Sequence, residues 1–360
     1  MKVIDMHCDT ISSLLELQEA GRPEGLRSNS RQVDLLRMKE SHYFVQNFAL
    51  FVVLAGRGDP WERVCGLHRL YQEELEKNKD ILAPVLVFGD IEENERAGKL
   101  SSLLTVEEGG VCGGKLDRLR QLYQMGVRML TLTWNFDNEI GAPNRVLELT
   151  ERMNGALEKW KAAPSGTPQG EKLRLEAQEA RDACFHTPNL SGGLTERGRE
   201  FVAEMENLGM IPDVSHLSDR GFYDVLETAT KPFVASHSNA RAVCPHVRNM
   251  TDDMIRRLAR KGGVMGLNFC ADFLEEAPLG RKNSVTLEAV VRHARHIVSV
   301  GGMEVLGLGS DFDGIEPYEA LPGVQGMEAL WEAFHRAGFT EGQLDRVFYG
   351  NVLRLYRDTL

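Results

Sequence analysis

Eight short apolar runs recur along the chain, each followed by a stretch with helical spacing or capping signals. They are Lys2 to His7, Tyr43 to Val53, Ser102 to Glu107, Val127 to Trp134, Met210 to Ser215, Phe233 to Ser236, Gly263 to Phe269 and Val305 to Ser310. Strand and helix in alternation build a parallel sheet, because each strand must be followed by a crossover before the next can join it. Eight such units close into a (β/α)8 barrel, and 360 residues lie within the range that one barrel occupies. The chain therefore reads as a single barrel domain over residues 1–360. A ninth run, Ile81 to Phe88, reads as an extra short strand outside the ring.

Helix signals fill the intervals. Leu116 to Met125 carries apolar residues at 116, 119, 122 and 125, with Gly126 as a stop. Thr251 before Asp252 and Asp253 is a cap followed by acids that favour the positive end of a helix. The Glu-rich stretch Glu73 to Glu76 reads as a solvated helix face. Residues 151–183 are rich in charge and broken by Pro164 to Pro168, so they read as two helical arms around an exposed loop, inserted after the fourth barrel strand.

Charge narrows the partners. With 42 basic and 53 acidic residues the net charge is −11, which disfavours nucleic acid and anionic lipid. The opening MKVIDMHCDT sets charged residues where a signal peptide needs an apolar run, and no stretch approaches about 18 apolar residues. The expectation is a cytoplasmic protein with no membrane segment. Six scattered cysteines without a C-x-x-C pair fit reduced thiols.

The chemistry lies where the runs end. His7 and Asp9 close the first, Glu108 follows the third, His216 the fifth, His237 the sixth and Asp311 the eighth. That is the rim on which barrel enzymes build their active sites. Core packing does not explain five strands delivering His, Asp or Glu to one rim, since a packed strand wants apolar side chains there. His7 and Asp9 are two apart and share a face, so together they can grip one cation, and imidazole with carboxylate suits zinc. A shared carboxylate would hold two cations roughly 3.5 to 4 Å apart. Glu108 is the candidate bridge and Glu107 its rival, because neighbouring strand residues face opposite ways.

Across nearly its whole length the sequence resembles the renal or membrane dipeptidases, binuclear zinc enzymes on a distorted (β/α)8 barrel. The resemblance rests on D-M-H-C-D-T from Asp5, V-E-E-G-G from Val106, L-T-L-T from Leu130 and G-L-T-E-R-G from Gly193. It continues in G-M-I-P-D-V-S-H from Gly209, S-H-S from Ser236, V-R-N from Val247 and G-S-D-F-D-G from Gly309. It implies two zinc ions per chain. His7 and Asp9 would bind the first, Glu108 would bridge, and His216 with His237 would bind the second. It further implies a metal-held hydroxide attacking the peptide carbonyl of a dipeptide, Asp311 as general base, and Arg248 on the substrate carboxylate. Family register favours Glu108 over Glu107. The family often dimerises, so a homodimer is expected.

One position departs from the family. Mammalian members read L-T-L-T-H, with the histidine on the substrate carbonyl, whereas this chain has Trp134 there and Asn135 after it. Trp134 and Asn135 are therefore candidate substrate-binding residues, with zinc alone, Asn135 or another donor polarising the carbonyl. This departure keeps open an amidohydrolase for a non-peptide or cyclic amide. A non-catalytic zinc protein is disfavoured, since a relic site has no reason to retain both the ligand set and Asp311. The remaining histidines have plainer readings: His68, His293, His296 and His335 as helix residues, His246 as a pocket-lining neighbour of Arg248. Asp213 is either a partner that orients a ligand histidine or a loop residue, and Asp313 with Gly314 reads as a turn.

Overall fold

The alternation of runs resolves into nine parallel strands in a computed structural model that describes residues 1–56, 58–280 and 285–360. They are β1 (Val3–Asp5), β2 (Tyr43–Phe51), β3 (Leu82–Pro84), β4 (Leu100–Glu107), β5 (Val127–Thr131), β6 (Ile211–Asp213), β7 (Val234–Ala235), β8 (Val264–Leu267) and β9 (Leu306–Leu308). Eight close a ring, because β2 pairs with both β1 and β4, and β9 returns to β1 through Asp5 and Leu308. β3 stays outside the ring, paired only with Leu100 to Ser102 of β4, and β5 takes that same edge from Leu104 onward. The ninth run is thus a short outer strand, as expected.

Burial follows the two-residue period of a strand. Ile4, Val45, Leu103, Met129, Ile211, Val234 and Val264 form one cluster inside the ring. The C-terminal helix Asn351–Thr359 packs against it with Val352, Leu355 and Tyr356, and the Tyr356 hydroxyl donates to Asn47 Oδ1 at 2.7 Å. The alternate residues Leu104, Val106 and Leu130 face outward into the larger core shared with the helices.

The charged stretch after β5 forms two helices, Leu147–Ala162 and Pro168–His186, which pack on each other. Thr251 caps the helix Asp252–Arg260 by accepting the Met254 amide. The Glu73–Glu76 reading needs a correction. Glu74 is buried and its carboxylate accepts the Leu26 amide at 2.7 Å, because the residue 26 loop folds over that face of the helix Pro60–Lys77. All six cysteines are free.

Candidate metal centre

Strands shorter than their loops leave polar residues just past each C-terminal end, and at the β1, β4, β6, β7 and β9 ends these side chains meet. His7 Nε2 lies 3.4 Å from Asp9 Oδ2, 3.3 Å from Glu107 Oε2 and 3.8 Å from Asp311 Oδ1. The other oxygen of Glu107, Oε1, lies 3.0 Å from His216 Nε2 and 3.6 Å from His237 Nε2, and those two Nε2 atoms are 3.0 Å apart. Glu107 therefore joins two sets of donors, one holding His7 and Asp9, the other His216 and His237. A side chain at position 314 would strike the Asp9 and Asp311 carboxylates, so Gly314 is required where the chain passes the centre.

The carboxylate between the two donor sets is that of Glu107, whereas the expectation placed Glu108 there. Leu103 points into the ring, so Thr105 and Glu107 share its face, whereas Glu108 lies beyond the strand at φ 115°. Its carboxylate turns away to accept the Gly110 amide at 2.7 Å, the Trp134 amide at 3.0 Å and Asn138 Nδ2 at 2.6 Å. Glu108 thereby fixes the loop in which Trp134 stands. A phase signal was present in the sequence: Leu104 and Val106 are apolar and face the helices, leaving polar Thr105 and Glu107 for the interior.

Hydrogen bonds set the histidine tautomers. Ser236 spends its hydroxyl proton on Asp213 Oδ2 at 2.6 Å, so its oxygen accepts from His237 Nδ1 at 2.7 Å, leaving Nε2 as a bare lone pair. Asn135 Oδ1 lies 3.2 Å from His216 Nδ1 and leaves His216 Nε2 likewise without a proton, its lone pair facing Arg248 Nη2. Asp213 also binds Thr131 and Ser215, so it orients His237 through Ser236 and ties three strand ends together. Burial, reinforced by His7 and Arg248, holds His216 and His237 far below the usual imidazole range. Burial alone would lower His7 too, but Glu107 and Asp9 raise it well above that range. Burial and neighbouring carboxylates push Glu107 and Asp311 upward.

This donor set fits metal ions. Two neutral imidazole lone pairs and a carboxylate oxygen converge with no proton between them, Arg248 Nη2 being the one donor beside His216 Nε2, and His7 Nε2 and Asp9 Oδ1 are buried without hydrogen-bond partners. A cation on either side of Glu107 satisfies these atoms together.

Around the centre lies a cavity of about 440 Å³ lined by Phe51, Trp134, Arg145, Arg248 and Asp311 among others. Trp134 packs edge-on against Phe51 at 4.9 Å. Asn135 also lines the cavity while holding His216. Arg248 is buried, with Nη2 2.9 Å from His216 Nε2 and 3.3 Å from His237 O, Nη1 on Ser215 O, and Nε unpartnered. Asp311 stands at φ 65°, and its Oδ2 accepts from Asn268 Nδ2 at 2.8 Å. Sequence reasoning missed Asn268 and Ser236, whose importance lies in what they touch. His293 and His296 form no metal pair: His293 binds Ala240 N and Leu274 O, and His296 binds Asp252. Asp313 accepts from Thr10 and from the Gln32 amide, a structural role.

A closed parallel barrel with buried histidines and carboxylates at its C-terminal rim defines a metal-dependent hydrolase of the barrel class. Residues 1–159 and 175–359 match the model of the membrane dipeptidase family, peptidase family M19, and the unmatched residues span the turn between the two inserted helices. The chain belongs to that family and is a metallo-dipeptidase-type hydrolase. An uncharacterized protein of Klebsiella pneumoniae encoded in the pqqA 5′ region is 30% identical over 84% of this chain and 97% of its own. An uncharacterized dipeptidase of Schizosaccharomyces pombe is 28% identical over 99% of this chain and 80% of its own. Among solved structures, a metallopeptidase from Rhodobacter sphaeroides liganded with a phosphinate mimic of the dipeptide L-Ala-D-Ala superposes with a TM-score of 0.82. It is 25% identical and covers 100% of this chain and 99% of its own. The metallopeptidase called dipeptidase AC gives a TM-score of 0.81 at 25% identity, covering 100% and 98%. Among the described residues no helix is long and apolar enough to cross a membrane.

Proposed function

We propose that this enzyme hydrolyses free dipeptides with two zinc ions, one held by His7 and Asp9, the other by His216 and His237, with Glu107 shared between them. The observation that carries this reading is the placement of Glu107, whose two oxygens face two separate donor sets. Zinc bound there would polarise the scissile carbonyl and lower the pKa of the attacking water towards about 7.

The protein's own groups supply the rest. Asp311, anchored by Asn268 through Oδ2, keeps Oδ1 on the side of His7, where it accepts the water proton and returns it to the leaving amine. Arg248 presents its unpartnered Nε to the substrate's C-terminal carboxylate, a charge-assisted hydrogen bond. Trp134 and Phe51 wall the cavity with aromatic surface, and no histidine stands where mammalian relatives place one on the carbonyl. The Rhodobacter sphaeroides relative, bound to a dipeptide mimic, supports a dipeptide here.

The test is a panel of L,L and L,D dipeptides, N-acylated dipeptides, dipeptide amides and cyclic amides offered to the zinc-loaded protein, with zinc counted by elemental analysis. Turnover only when both termini are free, at two zinc ions per chain, is the expected result. Turnover of cyclic or acylated amides in preference, or a single zinc in the presence of excess metal, overturns the proposal.

A further inference from the structure

The cavity holds a second arginine that the catalytic reading leaves idle. Arg145, in the segment between β5 and the helix Leu147–Ala162, lines the same cavity as Arg248. Arg145 makes no hydrogen bond or ion pair with any described residue, and its Nε is buried without a partner. Its guanidinium stands over the Phe185 ring, 5.5 Å from the centroid, a ring that Arg181 also approaches at 4.9 Å. Asp272 acts on it electrostatically, but Asp272 Oδ1 is taken by Arg181 at 2.7 Å. Of the cavity's carboxylates, Asp9, Glu107 and Asp311 form the metal-capable groups, Asp313 accepts from Thr10 and the Gln32 amide, and Glu16 is exposed and forms no ion pair with Arg145. A guanidinium drawn into a protein without an anion is costly, and such groups are ordinarily paired.

A run of contacts links the two arginines. Arg145 lies over Phe185, Phe185 packs on His246 at 4.4 Å, and His246 Nδ1 accepts the backbone amide of Arg248 at 3.0 Å. Phe51 and Trp134 form an aromatic wall elsewhere in the cavity. Both arginines line one cavity and their charges act on each other, so a dipeptide held by its C-terminal carboxylate on Arg248 has Arg145 within the same pocket.

We infer that Arg145 is a specificity residue for a second carboxylate, so that the preferred substrates are dipeptides ending in glutamate or aspartate. The inference rests on the dipeptidase reading and on Arg248 as the carboxylate anchor. A charge-assisted hydrogen bond to a carboxylate side chain, absent with the isosteric amide, corresponds to a preference of about 10- to 100-fold.

The experiment compares kcat/KM of the zinc-loaded protein for Ala-Glu, Ala-Gln, Glu-Ala, Gln-Ala and Ala-Ala. Ala-Glu is expected to exceed Ala-Gln by about 10- to 100-fold, with no such gap between Glu-Ala and Gln-Ala. In Arg145→Met, which keeps apolar bulk over Phe185, the Ala-Glu to Ala-Gln ratio falls to near one, chiefly through KM for Ala-Glu. Arg145→Lys retains part of the preference, which a merely structural arginine would not do. Free glutamate inhibits more strongly than glutamine in the wild type, and Arg145→Met removes the difference. If Ala-Ala and Ala-Gln are hydrolysed while Ala-Glu is no better, or if the preference falls on Glu-Ala, the assignment of Arg145 is overturned and the dipeptidase reading stands. If no dipeptide is hydrolysed, both fall.

Discussion

The Nε2 atoms of His216 and His237 face each other at 3.0 Å, with both rings held neutral and both Nδ1 atoms occupied. Two lone pairs at that distance repel; Arg248 Nη2, 2.9 Å from His216 Nε2, offsets part of this, and a metal ion on the pair would offset the rest. Replacing either ring by Ala should lower the zinc content from two to one, since His7 and Asp9 still hold the other ion. Elemental analysis of His216→Ala and His237→Ala checks this, and two zinc ions retained in both would remove these histidines from the centre.

Adjacent glutamates with opposite duties give a sharper contrast. Glu107→Gln should lose zinc and activity together while leaving the fold intact. Glu108→Gln should keep its zinc, because the carboxylate serves only backbone amides and Asn138, and should lower stability by about 1 to 3 kcal/mol as one of its two acceptor oxygens is replaced by an NH2 facing a buried donor. Zinc content and urea denaturation of the two variants decide it, and the reverse outcome would restore Glu108 as the bridge.

Asp311→Asn should retain two zinc ions and lower kcat by roughly 10²- to 10⁴-fold, the loss typical of a removed general acid/base. Asn268→Ala should lower kcat less, by freeing Oδ2 of Asp311 rather than removing it. Wild-type turnover in Asp311→Asn would exclude that carboxylate from proton transfer.

Ser236→Ala removes the acceptor of His237 Nδ1 without touching the ring. Metal affinity should drop by roughly 10- to 100-fold, as for other lost partners of a ligating histidine. Competition with a zinc chelator measures it, and unchanged affinity would make the Asp213 and Ser236 contacts scaffolding only.

His293 adds a pH dependence remote from the centre. It is fully buried, its Nδ1 accepting the Ala240 amide and its Nε2 donating to Leu274 O, and burial pushes its pKa down to about 4. The folded state thus refuses a proton that the unfolded chain accepts near pH 6.5. Stability from this group is complete above pH 6.5 and declines as pH falls towards 4, with about 2 kcal/mol lost at pH 5. The stability gap between wild type and His293→Gln should narrow by about that amount between pH 7 and pH 5. An equal gap at both pH values would refute the assignment.

The barrel and the rim residues were legible in the sequence because both depend on local pattern: a period of two along each strand, and polar residues where the apolar run stops. Placing the bridge required strand phase, and a motif register that favoured Glu108 competed with the apolar Leu104 and Val106 that set Glu107 inward. The supports were not legible at all. Asn268 meets Asp311 across 43 residues, and nothing about a lone Asn after a strand says which carboxylate it will hold. Arg145 carries no spacing signal either; only the cavity shows that it faces inward without an anion.

The seam between β1 and β9 has a consequence for how the molecule is made. Asp5 binds the amide and hydroxyl of Ser310, 305 positions later, and the same seam carries His7 and Asp9 to Asp311. During synthesis at about 5 to 20 residues per second, the first strand emerges roughly 15 to 60 s before its last neighbour. Through that interval His7 and Asp9 belong to a strand with one edge unpaired, and Asp311 does not yet exist. The donor group that includes His7 and Asp311 is therefore complete only when the last strand closes the ring, so any metal held there would be a late arrival in the life of the chain.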